Sequence, residues 1–322
     1  MASGLPRGRP HAGVRGYFGT VSAQNPIVLS TSSVYPEATA SGFELAARLG
    51  YDGVEVMIGI DPVAADIDRV EALRDFHEVP VRAIHAPTLL VTQSTWGTDP
   101  WDKLRRSGEA AKRLGASVVV VHPPFRWQMK YGRGFVDGIR RLNHHFAPLL
   151  FCVENMYPWR TKVGEFKAYL PHWDPTDLAH EHLTLDLSHA STANMQSRDY
   201  VREWGRRLRH VHFTDGSGSF KDEHLFPGEG SQQAYELLDD LVATGYGGQV
   251  VLEVNSRRAG NRASREALLG QALIDMRRRL GQPVDETTER HTRAALELVA
   301  TAPPDALGPD PSGALGPDWR DG

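Results

Sequence analysis

The sequence predicts an α/β protein built as one (β/α)₈ TIM barrel, and three observations lead there. Short β-branched runs alternate with longer segments of helical period, the pattern of repeated βα units around a parallel sheet. Eight such runs occur, with no second domain beside them. The span that carries them has the roughly 250 residues usual for this fold. A doubly wound open sheet shows the same alternation. The position of the polar residues argues for the barrel, because they gather at the C-terminal ends of the later strands.

In chain order, the first run, 27–32 (IVLSTS), follows a Gly-, Arg- and Pro-rich stretch without periodicity. The second, 53–58 (GVEVMI), is entered from a helical segment at 44–49 that stops at Gly50, a glycine placed as a helix C-cap. The third, 81–85 (VRAIH), and the fourth, 117–122 (SVVVVH), are separated by a helix at 104–114 that stops at Gly115 in the same way. The fifth, 149–154 (LLFCVE), and the sixth, 183–187 (LTLDL), are apolar apart from an acidic residue near the end. After the seventh, 210–213 (HVHF), comes a helix at 235–243 ending before Gly245, and the eighth run, 249–254 (QVVLEV), completes the set. The expected organisation is a disordered N-terminal segment at 1–25, the barrel at 26–280, a C-terminal helical extension at 281–300 and a disordered Pro/Gly-rich tail at 301–322. The last helical stretch within it is 286–300.

The 322 residues are 40% hydrophobic, enough for a sizeable core. A formal charge of -4 with both signs mixed does not call for a polyanionic partner, although a local basic groove stays compatible with it. Cys152 is the single cysteine, so an intramolecular disulfide and a multi-cysteine metal site are both excluded, in keeping with a reducing cytoplasm. Residues 1–24 lack an apolar signal-peptide core, and no run of about 18 apolar residues occurs, so a soluble, unexported, cytoplasmic protein without a membrane partner is expected. The sequence leaves the oligomeric state open.

Buried parallel strands should be almost wholly apolar, yet the later strands end in metal-binding side chains. His85 closes VRAIHAP, His122 closes SVVVVHPP and Glu154 closes LLFCVEN. Asp186 sits in LTLDLSH with His189 three residues on, His212 lies in HVHFTD, and Glu253 closes QVVLEV. Asp222 and His224 follow the seventh strand in KDEHLFPGEG. Side chains two apart on a strand share a face, so Val118, Val120 and His122 point together, as do Cys152 and Glu154. If the valines fill the barrel, the polar tips face its mouth. Several buried carboxylates beside imidazoles need a cation, and a divalent metal is the simplest one. Mixed N/O ligation suits Zn, Mn, Fe or Co.

At these residues the sequence resembles the xylose-isomerase-like TIM-barrel superfamily, from about Val28 to Arg279. The marks are HAP at His85, VVVHPP at His122, VEN at Glu154, LDLSH at Asp186 and His189, HVHFTDG at His212, DEHLFPGEG at Asp222 and His224, and VLEV at Glu253. STSSVYP, LGYDGVEVM, HPPFRWQ and DGSG are similar to an actinobacterial branch labelled only "sugar phosphate isomerase/epimerase". Resemblance to the epimerases implies one metal held by Glu154, Asp186, His212 and Glu253, with Glu154 and Glu253 as catalytic acid and base. Resemblance to endonuclease IV implies three zinc ions held by His85, His122, Glu154, Asp186, His189, His212, Asp222, His224 and Glu253, a phosphodiesterase acting on abasic DNA. The expected cofactor is thus one to three divalent ions, Mn or Zn. Two reactions remain open on one scaffold: isomerisation or epimerisation of a small polyhydroxylated carbonyl compound, and phosphoester hydrolysis. A barrel that binds metal and ligand without turnover is a third class. Thr88 stands where the repair enzymes carry an aromatic residue in a DNA-penetrating loop, and no long Lys/Arg run is present, so a small-molecule substrate is favoured over nucleic acid.

Arg126, Trp127, Lys130 and Arg133 follow the fourth strand, and Tyr157, Trp159 and Arg160 follow the fifth, so both loops should overhang the mouth. Arg126, Trp127, Tyr157, Trp159 and Lys221 are the expected substrate-binding residues, reading phosphate or hydroxyls with a charge or a flat aromatic face. His144, His145, His172, His180 and His182 read as structural or exposed, His210 as a hydrogen-bonded interior residue, and Cys152 as core filler.

Overall fold

Because apolar and β-branched residues occupy nearly every position of the eight runs, the strands they form have no face for water and must be covered on both sides. A computed structural model describes residues 25–59, 61–87, 92, 94–161 and 164–301. The strands are β1 (Ile27–Ser30), β2 (Val54–Met57), β3 (Val81–His85), β4 (Val118–Val121), β5 (Leu150–Glu154), the short pair β6 (Trp159–Thr161) and β7 (Gly164–Phe166), then β8 (Leu183–Asp186), β9 (Leu208–Phe213) and β10 (Gln249–Leu252). Eight of them close a parallel barrel in the order β1-β10-β9-β8-β5-β4-β3-β2, while β6 and β7 form an antiparallel hairpin outside it. The seam is the parallel pairing of β1 with β10, Ile27 opposite Val250. Closure rules out the open doubly wound sheet.

Alternation along each strand sorts the residues into two layers. Outward-facing Ile27, Leu29, Val54, Val56, Val119, Val121, Phe151, Val153, Val211 and Phe213 belong to the core between barrel and helices. Ala83, Val118, Val120 and Cys152 form a separate cluster inside the barrel, so Cys152 is core filler beneath Glu154. The helices are α1 (Thr39–Leu49), α2 (Pro62–Ala65), α3 (Ile67–His77), α4 (Pro100–Leu114), α5 (Met129–Arg133), α6 (Phe135–Phe146), α7 (Leu187–Thr192), α8 (Ser197–Trp204), α9 (Ala234–Ala243), α10 (Arg262–Arg279) and α11 (Glu286–Thr301). Gly50 and Gly115 end α1 and α4 at φ 83° and 78°, the left-handed conformation that the C-cap reading requires. α11 closes over the end of α1: Thr288 Oγ1 donates to Leu49 O at 2.8 Å, and His291 Nδ1 lies 2.6 Å from Arg48 O. Two orphan helix carbonyls are thereby satisfied.

Strand limits differ from the sequence reading by a few residues. The first strand stops at Ser30 because Thr31–Val34 turn into a 3₁₀ helix, and the seventh begins two residues early, at Leu208. The β6–β7 hairpin was not expected. Asn25, placed by the sequence reading in the disordered segment, donates through Nδ2 to Tyr246 O and Gly248 O at 2.7 and 3.0 Å. The rest of the 1–25 segment, 302–322 of the tail and Thr88 lie outside the described residues. Among the described residues no helix is long and apolar enough to cross a membrane.

Candidate metal centre

The barrel carries its polar side chains to one end because several strands end in one or are followed at once by one. His85 is the last residue of β3, Glu154 of β5 and Asp186 of β8; His122 follows β4, and Glu253 follows β10. Asp186 also caps α7, its carboxylate accepting from His189 N at 2.8 Å, which fixes where His189 stands. Asp222 and His224 come from the segment between β9 and α9, held there when Ser188 Oγ donates to Asp222 Oδ1 at 2.6 Å and accepts from His224 N at 3.0 Å. His224 adopts φ 45°, a strained value for a residue with a Cβ.

The convergence point is one nitrogen, Nδ1 of His212. Glu154 Oε1 lies 2.8 Å from it, Glu253 Oε2 2.9 Å and Asp186 Oδ2 3.5 Å. The other groups surround this core. His122 Nε2 is 2.8 Å and His85 Nε2 3.5 Å from Glu154 Oε2. On the far side His189 Nε2 and His224 Nε2 stand 3.3 and 3.1 Å from Asp222 Oδ2. The backbone fixes two of these rings: His189 Nδ1 is 2.8 Å from Asn155 O, and His224 Nδ1 is 3.1 Å from Glu253 O. All nine residues expected as ligands on the endonuclease IV pattern therefore meet at one end of the barrel.

Burial alone would neutralise these groups, and mutual attraction reverses that. Glu154, although desolvated, is held well below the usual carboxylate range by His212 and His122. Glu253 is lowered against burial by His212 and His224, and Asp222 well below its usual value by His224 and His189. Correspondingly, His212 and His189 are raised well above the ordinary imidazole value despite burial, and His224 is pushed up to about 9, by the facing carboxylates. His85 is also raised against burial, by Glu154, whereas burial wins at His122 and lowers it. The cage thus holds carboxylates that need positive charge, supplied here by protonated rings. Asp186 Oδ2 and Glu154 Oε2 are buried without a well-aligned hydrogen-bond partner, as atoms reserved for a cation would be. Three carboxylates and an imidazole around one point are a hard-to-intermediate donor set that fits Zn or Mn.

A family model described as a xylose isomerase-like TIM barrel matches residues 43–277. The chain belongs to this family. An uncharacterized protein of Mycobacterium tuberculosis (strain ATCC 25618 / H37Rv) is 44% identical over 264 residues, 76% of this chain and 94% of the relative. Among solved structures, 3-keto-D-glucoside 4-epimerase from E. coli has TM-score 0.52 at 17% identity, covering 86% of this chain and all of its own (100%). The IOLI protein with a binding zinc atom has TM-score 0.57 at 16% identity, covering 80% and 98%. Endonuclease IV from Thermus thermophilus has TM-score 0.50 at 19% identity, covering 84% and 99%. These structural likenesses concern the fold.

In this xylose isomerase-like barrel the centre forms the floor of a cavity of about 220 Å³. Phe125, Tyr157, Trp159 and Tyr169 line it on one side and Ser32, Glu37 and Asp61 on another. Of the residues expected to touch substrate, Tyr157 and Trp159 line the cavity; Arg126, Trp127 and Lys221 are exposed and stand outside the lining. Trp127 instead stacks on Phe125, ring centroids 4.7 Å apart. The sequence reading missed Phe125 and Tyr169, which are paired through an antiparallel bridge. It also missed Glu55 of β2, fully buried, with Oε1 3.0 Å from His212 Nε2 and Oε2 2.9 Å from His210 Nε2. The available signal was a carboxylate inside VEVM, a strand otherwise wholly apolar. His210 is an interior residue, as expected, but not a hydrogen-bonded one: its Nε2 lies close to Glu55 Oε2 without a well-aligned hydrogen bond.

Proposed function

We propose that the protein is a divalent-metal-dependent isomerase or epimerase acting on a small sugar, sugar phosphate or related polyhydroxy carbonyl compound by proton transfer. The observation that carries this reading is the meeting of Glu154, Asp186 and Glu253 at His212 Nδ1, on the floor of a cavity with an aromatic side. These four residues would hold the ion, Mn or Zn, which when bound polarises a carbonyl and acidifies the neighbouring C–H. Glu154 and Glu253 are the groups placed to move the proton. Ser32 Oγ donates to Glu253 Oε1 at 3.0 Å and so orients that carboxylate. Tyr157, Trp159 and Phe125 offer flat faces for a sugar ring, and about 220 Å³ suits a substrate near monosaccharide size rather than the roughly 300–1,000 Å³ of drug-sized sites.

A second reading has its own support. His85, His122, His189, Asp222 and His224 exceed what one ion requires, and three of them fall into sets, His85–Glu154–His212 and Asp186–His189–His224, whose ligand atoms lie within 4.8 Å of one another. That extended cage suits a trinuclear zinc phosphodiesterase of the endonuclease IV kind. Two assays separate the readings. In D₂O an isomerase places solvent deuterium on the carbon beside the carbonyl of a ketose, ketose phosphate or inosose. A repair nuclease instead nicks an oligonucleotide on the 5′ side of one abasic site. Nicking without exchange across a broad sugar panel would overturn the isomerase reading, and turnover of any substrate dismisses a barrel that only binds.

A further inference from the structure

A carboxylate in the middle of a barrel strand, with no exposure at all, is expensive unless something inside the barrel needs it. Glu55 has small neighbours in register, Ser30 on β1 and Ala83 on β3, which leave room for its side chain to cross the interior. Two strands, β1 and β10, separate β2 from β9 in the barrel order, so the contact with His212 is an interior one and not a pairing between adjacent strands. Oε1 lies 3.0 Å from His212 Nε2 and Oε2 lies 2.9 Å from His210 Nε2. An ionised carboxylate only accepts, so His212 Nε2, hydrogen-bonded to Oε1, carries a proton, whereas His210 Nε2 stands close to Oε2 without a well-aligned hydrogen bond.

From this geometry we propose that Glu55 is a positioning residue for the metal centre: it holds the proton of His212 on Nε2, so that Nδ1, which faces Glu154, Asp186 and Glu253, is the nitrogen left to ligate a cation. His210 Nε2 stands 2.9 Å from the second oxygen, on the side of the carboxylate away from Oε1 and its bond to His212. A neutral imidazole has one donor and one acceptor nitrogen, and the hydrogen bond made by one decides which atom is left to ligate. Among the described residues Glu55 is the hydrogen-bond partner of Nε2, and without it His212 is free to present the wrong tautomer. The proposal rests on the metal-centre reading, and it concerns which atom of His212 ligates and what enforces that choice.

The test uses the full chain, stripped of metal and titrated with Zn²⁺ or Mn²⁺, together with ¹⁵N NMR of the histidine rings in the zinc-loaded protein. The expected wild-type result is His212 protonated at Nε2 and ligating through Nδ1. Glu55→Ala should weaken metal affinity about 10- to 100-fold, as loss of a partner to a ligating histidine does. Glu55→Gln keeps an oxygen to accept from His212 Nε2–H and should recover most of that loss together with the wild-type tautomer. A wild-type His212 ligating through Nε2 overturns the proposal without any variant, so it stays testable even if Glu55→Ala fails to fold. Unchanged affinity and tautomer in a folded Glu55→Ala protein overturns it and leaves the metal centre standing. A wild-type chain that binds neither metal overturns both readings.

Discussion

Glu154 and Glu253 approach the same nitrogen of His212 at 2.8 and 2.9 Å, so exchanging either carboxylate for its amide keeps the shape and removes both a base and an anionic ligand. Glu154→Gln and Glu253→Gln should each lower turnover by about 10²- to 10⁴-fold with an unchanged circular dichroism spectrum. Normal turnover in the folded Glu253→Gln protein would show the chemistry to lie elsewhere. His224→Ala discriminates between the two readings. In a one-metal isomerase it costs only part of the activity, while in a trinuclear enzyme it empties a metal position and nearly abolishes activity, which metal analysis on the same sample shows directly. Most of the nine ligating candidates were legible because they stand at or just beyond the end of a strand, where polarity breaks an apolar run, while Asp222 and His224 were legible only as a motif in the segment after β9. Glu55 was not, since its place inside the second strand looks like an isolated irregularity until the fold sets β9 across the barrel from it. Arg126, Trp127 and Lys221, expected at the substrate, stand outside the cavity lining. A sequence says that a loop lies near the mouth, but aperiodic backbone does not say which way a side chain leaves it.

At the level of elements, period and capping made the strands and most helices readable, and the failure falls where neither exists. Residues 155–182 have no sustained period, so the β6–β7 hairpin that carries Trp159 could not be drawn from them. Helix packing offers a sharper test. Gly138 of α6 is buried, and a Cβ there would meet the Trp101 ring of α4, a rigid neighbour with little freedom to retreat. Gly138→Ala should therefore destabilise the protein by about 1–3 kcal/mol, the usual cost of overpacking, even though alanine favours a helix. A urea midpoint at or above the wild-type value would mean that the α4–α6 contact is looser than described.

For the whole molecule, stability should depend on both metal and pH. A bound ion stabilises the folded state by mass action, so chelation should lower Tm and added Zn²⁺ or Mn²⁺ should restore it. An identical melting curve with and without chelator would remove the cation from the account of the cage. His180 supplies a pH dependence of its own, outside the nine-residue cage. It is 3% exposed, neither ring nitrogen has a hydrogen-bond partner, and burial with Arg207 and Arg140 nearby pushes it down to about 4. The unfolded chain takes up that proton near pH 6.5, so this contribution is complete above about 6.5 and is lost as pH falls toward 4. Between pH 7 and 5 wild type should lose about 2 kcal/mol more than His180→Leu, measured by denaturant at both pH values under the same metal condition. Equal losses would mean that His180 protonates without penalty. The seam between β1 and β10 has a consequence in time as well as in space. Glu253 immediately follows the strand that closes the barrel, so a chain emerging from the ribosome carries Glu154, Asp186 and the histidines with no cage to hold them until its last strand is made. On the metal-centre reading, loading waits for that strand, and a nascent chain that stalls before it can neither shut the barrel nor keep an ion.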